Sequence, residues 1–473
     1  MDFVRVSPQN RPWLVQFRSS ESFTVFVVTI AILTDSLMYN LIVPVMPKAL
    51  VVDIGVKEQH VQKWVSLMQG AYGGALLSAA LPLGFFADRY HSRKLPFILG
   101  LLGLALSTGL FMIAKSPIVL VVARGLQGLS AATPFVVGLA LIANTVGPNR
   151  LGEAMGHATA GMTLGSLIGP IIGGLSYDNF GYKGTFYIPI GLICLDMLLR
   201  LAILEHSDAT HSSPEPTSSS LDPESQAYNT FPASSSHANP EENTRAPLLA
   251  QSLPHKSLND VSNLSPLLFL LGLPRLQCGI FGCIVICSIL SALEATLPLY
   301  VMEIFHWTAT RSGLIFLPMT LPSLGGSLVG KIMDKFGARI PTAIAFLTSA
   351  VALGCLRFVT VDNSSNHWLL VGLLIVFGFT CLGVQIGLMT EIFRVISETE
   401  ESHPQVFGGS SAISQGYGLY TMASAAGLLI GPLLGGSLKN AIGWGGLTLS
   451  LTSVCTLAAV LILRLNGQTS HRE

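Results

Sequence analysis

Along the chain, hydrophobic residues gather in long blocks and polar residues gather in short breaks between them. A helix needs about 20 apolar residues to cross a bilayer. Blocks of that kind fall near residues 23–45, 66–87, 95–114, 117–145, 154–176 and 184–204. A second set falls near 276–300, 312–331, 341–360, 368–390, 412–437 and 446–464. The pattern predicts an all-α membrane protein with twelve transmembrane helices in two six-helix bundles. The break between the sets is long. From His206 to Asn263 the chain is rich in Ser, Pro, Asn and acids and nearly free of aliphatic runs. Such a segment buries too little apolar area to fold and reads as a disordered linker. The expected order is a cytoplasmic tail (1–22), an N-terminal bundle (23–205), the cytoplasmic linker (206–263), a C-terminal bundle (264–465) and a cytoplasmic tail (466–473).

The halves repeat each other. "GSLIGPIIGG", Gly165 to Gly174, returns 262 residues later as "GLLIGPLLGG", Gly427 to Gly436. Gly165, Gly169 and Gly173 stand four apart and offer a flat stripe for close helix contact. Pro170 bends the helix, and the pair Gly173–Gly174 permits more bending. A lone G-x-x-x-G means only packing, but a ten-residue pattern at matched positions predicts bent pivot helices at the boundary of two moving halves. A charged loop repeats as well: Gly84, Asp88, Arg89, Arg93 and Lys94 after the second span, and Gly330, Asp334, Lys335 and Arg339 after the eighth. Such duplication is a common transporter plan. The loop reads as a charge lock for one conformation; the simpler reading is the positive-inside signal alone. That signal places these loops, the linker and both termini in the cytoplasm. The sequon at Asn363 then faces the outside or a lumen and is a candidate glycosylation site.

Composition narrows the classes. Half of the 473 residues are hydrophobic and 11% are charged, with zero net charge; a soluble domain carries about 25% charge. Nothing suggests nucleic-acid binding. The seven cysteines lie in apolar segments without a C-x-x-C and read as packing residues, so no metal and no cofactor is expected. There is no H-E-x-x-H and no G-x-S-x-G, which argues against a membrane enzyme. The first twenty residues are polar and basic, so the first span should insert uncleaved.

Three charges stand where hydrocarbon should be: Asp35 in the first span, Arg124 in the fourth and Glu294 in the seventh. Each is costly in a bilayer and should face an aqueous cavity or a partner. A carboxyl held away from water can take up and release a proton, which is what a proton-driven carrier requires. The alternative is a structural ion pair, for example Arg124 with an acid. Asn40, Gln127 and Gln385 are candidates to line a cavity and meet substrate, although Gln also serves as helix glue. Asp196 and Arg200, four apart, read as a structural pair, with Arg200 free to snorkel to the interface. His157 reads as packing, and Arg357, Glu391 and Arg394 as interfacial.

With these residues in hand, the chain resembles the major facilitator superfamily, and within it the twelve-span drug:proton antiporters, including the vesicular amine transporter branch. The similarity covers both six-helix halves and excludes linker and tails. Gly84-x-x-x-Asp88-Arg89…Arg93-Lys94 is similar to the superfamily's loop signature, with His91 in place of the usual glycine. "LVVARGLQGLSAA" resembles the fourth-helix signature, whose arginine, here Arg124, is implicated in proton coupling. Gly165 to Gly174 resembles the fifth-helix antiporter signature, and "IVPVMP" the first-helix signature. Asp35 and Glu294 match the membrane acids of vesicular amine transporters. That branch's second-helix lysine and eleventh-helix aspartate fall at Gly73 and Thr421, so those charges are missing. The long Ser/Pro-rich centre looks like fungal exporters of toxins or metabolites. The resemblance implies a monomeric antiporter that exchanges protons for a small amphipathic organic molecule, in the plasma membrane or in a vacuolar or vesicle membrane. The alternatives are a vesicular amine-type antiporter, a nutrient-importing facilitator and a non-transporting receptor.

Overall fold

The computed structural model describes residues 20–89, 94–146, 151–202, 266–402 and 412–465. The linker, both distal tails and Arg93 lie outside the described residues, and for Gly84, Asp88, Arg89, Lys94 and Asp334 only the helical backbone is described. Among the described residues the structure is helical, without strands.

The N-terminal half comprises α1 (Glu21–Val52), α2 (Glu58–Arg89), α3 (Lys94–Ile113), α4 (Pro117–Thr133), α5 (Leu151–Gly184) and α6 (Tyr187–Ala202). The Ser20 hydroxyl accepts from Phe23 N at 3.2 Å and starts α1; Ser116 and Pro117 start α4 in the same manner. Pro134 removes a backbone donor after α4, and a π-helical turn, Pro134–Gly138, leads into Leu139–Thr145. In the C-terminal half, α7 (Pro274–Phe305) is followed by α8, which runs as short pieces from Ala309 to Phe336 around a 3₁₀ turn at Leu321–Gly325. Then come α9 (Arg339–Cys355) and α10 (Ser364–Ser402). One helix, Ala412–Leu465, is divided into α11 and α12 by Gly443, whose φ of 71° breaks it. Gly181 holds φ of 68° at the equivalent place in α5, again 262 residues earlier.

Among the described residues, eight helices are long and apolar enough to cross a membrane. The last of them, Gly418–Arg464, has 47 residues. A straight helix of that length spans about 70 Å, more than two hydrocarbon cores. Its break at Gly443 therefore separates two crossings. Three further helices occupy span positions: α2, which is 32 residues long but more polar, α6, which has only 16 residues, and α8, which is interrupted. The arrangement is consistent with twelve spans. Helix α10 reaches Ser402, beyond the span expected near 368–390, because Glu391 and Glu398 in its last turns are held by Arg275 at 2.8 and 2.9 Å.

Each half has its own apolar core. Leu41, Met46, Phe111 and Phe186 are buried in the first; Ile289, Leu293, Phe346, Phe377 and Leu447 are buried in the second. Helices α3, α6, α9 and α12 turn large apolar side chains outward, among them Leu106, Leu198, Val351 and Leu457. In a bilayer these faces meet lipid rather than water, so they cost nothing to leave uncovered.

The glycine stripes pack mainly inside the bundles, while the helices that carry them stand at the boundary, α5 beside α8 and α11 beside α2. A Cβ on Gly165 would stand 2.6 Å from Leu33 O, and one on Gly169 2.8 Å from Leu37 O. Gly173 meets Leu41 O in the same row, so α5 lies directly on the α1 backbone. Gly427 and Gly431 hold α11 against Ile284 and Ser288 of α7 in the same way. Only the final glycine of each motif faces the other bundle: Gly174 abuts Ala309 and Thr310 of α8, and Gly436 abuts Ser66 of α2.

Candidate functional site

Between the bundles lies a cavity of about 380 Å³. From the N-terminal side α1 supplies Asp35, Ser36, Tyr39 and Asn40 and α2 supplies Tyr72. Positions 35, 36, 39 and 40 share one helix face because they are spaced by three to four residues. From the other side α7 supplies Cys287 and Glu294, α10 Cys381 and Gln385, and α11 Tyr420 and Ser424. Among the described residues the lining contains two carboxyls and no Lys, Arg or His. The rest mixes aromatic, thiol and aliphatic side chains with neutral hydroxyl and amide groups, which suits an amphipathic molecule.

Asp35 is 2% exposed. Its carboxyl is directed to the Tyr72 hydroxyl, yet neither oxygen completes a hydrogen bond of normal geometry. It lies in the field of two guanidinium groups, Arg200 and Arg124. Glu294 accepts the Tyr39 hydroxyl proton at 2.7 Å, a bond that joins the bundles.

Arg124 sits behind the cavity wall and is 1% exposed. Its Nη1 donates to Gln127 Oε1 at 2.7 Å, and its Nη2 donates to Gln69 Oε1 at 2.7 Å and to Tyr39 O at 3.1 Å. Its Cζ stands 4.5 Å from the Tyr39 ring centroid and 5.1 Å from that of Tyr72. No carboxylate lies within salt-bridge reach of it among the described residues, so the ion-pair alternative is not what the geometry presents. Neutral acceptors and two π faces solvate the cation instead.

The other expected residues fall as follows. Asn40 lines the cavity and donates Nδ2 to Ser36 O at 2.8 Å and to Ser166 Oγ at 3.2 Å. Gln385 lines it too, donating Nε2 to Cys381 Sγ at 3.4 Å. Gln127 does not; it is fully buried against Arg124. Arg200 corrects the expectation that it snorkels outward. It is 2% exposed, forks onto Asp196 at 3.1 and 2.7 Å and lies over the Phe97 ring. The pairing with Asp196 is as expected. His157 is exposed rather than packed. Lys335 is exposed, and Arg339 donates to Leu463 O, tying α9 to α12. Asn363 is exposed, and its Oδ1 accepts from Asn366 N at 2.7 Å as the cap of α10. Two residues without a sequence signal of their own are Tyr39 and Tyr72, whose rings meet tilted at 50° with centroids 4.6 Å apart. The available signal was the polar face 35, 36, 39 and 40 around an intramembrane acid.

The bundles touch along α2 and α11, where Gly73 abuts the backbone of Leu428 and Leu429, and they are hydrogen-bonded to each other toward the α1–α2 connection. Gln62 Nε2 donates to Ala295 O at 3.0 Å. Asp178 at the end of α5 accepts Thr310 N at 2.8 Å and Thr310 Oγ1 at 2.6 Å.

The family model of the Major Facilitator Superfamily matches residues 28–408. An uncharacterised MFS-type transporter of Schizosaccharomyces pombe is 28% identical over 454 residues, covering 95% of this chain and 96% of the relative. The chromaffin granule amine transporter of Homo sapiens is 27% identical over 360 residues, covering 75% of this chain and 56% of that protein. A bacterial homologue of the human lysosomal transporter Spinster, in an inward-facing and unoccupied conformation, superposes with a TM-score of 0.64 at 13% identity. That superposition covers 94% of this chain and 95% of the other, and it shows a shared fold.

Proposed function

The chain belongs to the Major Facilitator Superfamily, and on that premise we propose that it is a proton-coupled antiporter that exports a small amphipathic organic molecule by alternating access. One observation carries the reading: Asp35 and Glu294, one from each bundle, line a single cavity that contains no cationic side chain. Carboxyls in that position exchange protons and attract a positively charged or proton-donating solute. Arg124, buried behind α1, sets the potential that both acids feel. Asn40 and Gln385 supply neutral hydrogen-bonding groups for orientation, and the aromatic walls supply apolar contact. The bundles span 23–205 and 264–465, with 206–263 as a cytoplasmic tether and Asn363 as a glycan site on the opposite face. The contacts on the α1–α2 side then close the cavity away from the cytoplasm. The plasma membrane fits an exporter of this kind.

Reconstituted into vesicles with an acidic interior, with its cytoplasmic face outward, the protein should accumulate at least one of a panel of fluorescent amphipathic dyes. Collapse of the gradient should release it. Asp35→Asn and Glu294→Gln should each lower uphill accumulation by about tenfold or more, the factor expected when a group essential to one step is neutralised. Unchanged uphill transport in both variants would remove the coupling role.

A further inference from the structure

We infer that the Tyr39 hydroxyl is a lock between the bundles, which ionised Glu294 holds shut in the empty carrier and which a proton or a cationic group on Glu294 releases. Its place in a transport cycle rests on the antiporter reading; the bond itself does not.

The geometry builds the lock from both sides. On the N-terminal bundle Tyr39 has no freedom to wander. Its ring packs against that of Tyr72 and is covered by the Arg124 guanidinium, and its carbonyl accepts from Arg124 Nη2. Its hydroxyl is thereby aimed out of the bundle at Glu294 Oε2, 2.7 Å away on α7. On the C-terminal bundle the next residue, Ala295, accepts from Gln62 of α2. Consecutive residues of α7 are thus fastened to α1 and α2. Beyond them, toward the α1–α2 connection, the seam continues through Gly436 against Ser66 and Gly174 against Ala309, and ends at Thr310 and Asp178. Alongside it α2 and α11 touch through Gly73 and the Leu428–Leu429 backbone; the Tyr39–Glu294 bond is the hydrogen-bonded part of the contact that borders the cavity.

Its strength depends on charge. A phenol donating to a carboxylate makes a charge-assisted bond, about twice as strong as a neutral one. A proton on Glu294 removes the charge. An ammonium group that binds Glu294 competes for the same oxygen. The groups facing Glu294 are Tyr39 of α1, Tyr72 of α2, Arg124 of α4, Cys287 of α7 and Cys381 of α10. Tyr420 of α11 faces the thiols instead. Arg124 keeps its charge at any working pH, so Glu294 is the member whose change of state alters the bond. An empty, deprotonated carrier stays closed on the α1–α2 side, while a loaded one is free to reorient. That is the condition for exchange without slippage.

Hydrogen–deuterium exchange on the full chain in lipid nanodiscs tests this, read at the α1–α2 connection and at residues 306–314 and corrected for intrinsic rates. Wild type should exchange slowly there at pH 7.5 and about fivefold faster at pH 5.5, the factor for a charge-assisted bond weakened to a neutral one. Tyr39→Phe and Glu294→Gln should exchange at the fast rate already at pH 7.5 and lose the pH step. Glu294→Asp keeps the charge but withdraws it from Tyr39, and should behave as Tyr39→Phe does. If Tyr39→Phe does not fold, Glu294→Asp decides alone. Wild-type protection and an intact pH step in the folded variants would overturn the lock. Failure of proton-driven dye transport alongside a preserved lock would remove the antiporter reading only.

Discussion

Arg124 is a buried cation whose nearest partners are two amide oxygens, a carbonyl and two rings. A guanidinium can serve all of them at once because its donors are fixed in a planar fork, whereas an ammonium is a compact point charge. Arg124→Lys therefore keeps the charge but leaves at least one of Gln69, Gln127 and the Tyr39 carbonyl without its donor. Uphill transport should fall by roughly tenfold or more, since each charge-assisted bond contributes about 1.5–3 kcal/mol. The comparison is transport rate per folded molecule, and a Lys variant at wild-type rate would show that charge alone suffices. Asp35, Arg124 and Glu294 were legible in the sequence because an ionised group in an apolar block has no cheap structural explanation. Tyr39 was not legible. A tyrosine fits an apolar pattern, and its partner Glu294 is 255 positions away. Gln127 misled for the same reason: a polar residue in a span marks a cavity or a neighbouring helix, and only packing tells which.

At the scale of elements, the α1–α5 contact is set by absence of side chains. Gly169 has the Leu37 carbonyl where a methyl would go, while Gly156 of the same helix has no atom within 4 Å. Gly169→Ala must push two backbones apart and should lower stability by about 1–3 kcal/mol, as overpacking does elsewhere. Gly156→Ala meets no obstacle and gains helix propensity, so it should be neutral or stabilising by up to about 1 kcal/mol. Thermal unfolding of the two variants in one detergent checks the pair; equal stabilities would mean that α5 does not rest on α1 as described. The helical class and the duplicated motif were visible in the sequence pattern, since both arise from local sequence. Whether the stripe works within a bundle or between bundles was not, because a glycine row names a close contact and not its partner. The ends of α10 were also hidden. Arg275 holds Glu391 and Glu398 from another helix and extends α10 past its apolar stretch.

For the whole molecule, the seam on the α1–α2 side has two kinds of fastening. The inner one, Tyr39 to Glu294, ends on a carboxyl in the cavity. The outer one ends on Asp178, which is partly exposed and accepts both the amide and the hydroxyl of Thr310. Lys48 stands 3.4 Å from Asp178 but is 42% exposed on its side chain, so screening leaves that pair little weight. The two hydrogen bonds across the bundles are therefore what Asp178 contributes to closure. Asp178→Ala removes the carboxylate that accepts both bonds and leaves Tyr39 and Glu294 untouched. Exchange at residues 306–314 should rise by about fivefold at pH 7.5. A further rise of similar size should follow on moving to pH 5.5, because the inner bond is still present to be released. Additive steps of this kind are expected when two fastenings act on one opening equilibrium without sharing a partner. If Asp178→Ala instead abolished the pH step, the seam would open as one unit from its outer end, and the inner bond would follow closure rather than govern it.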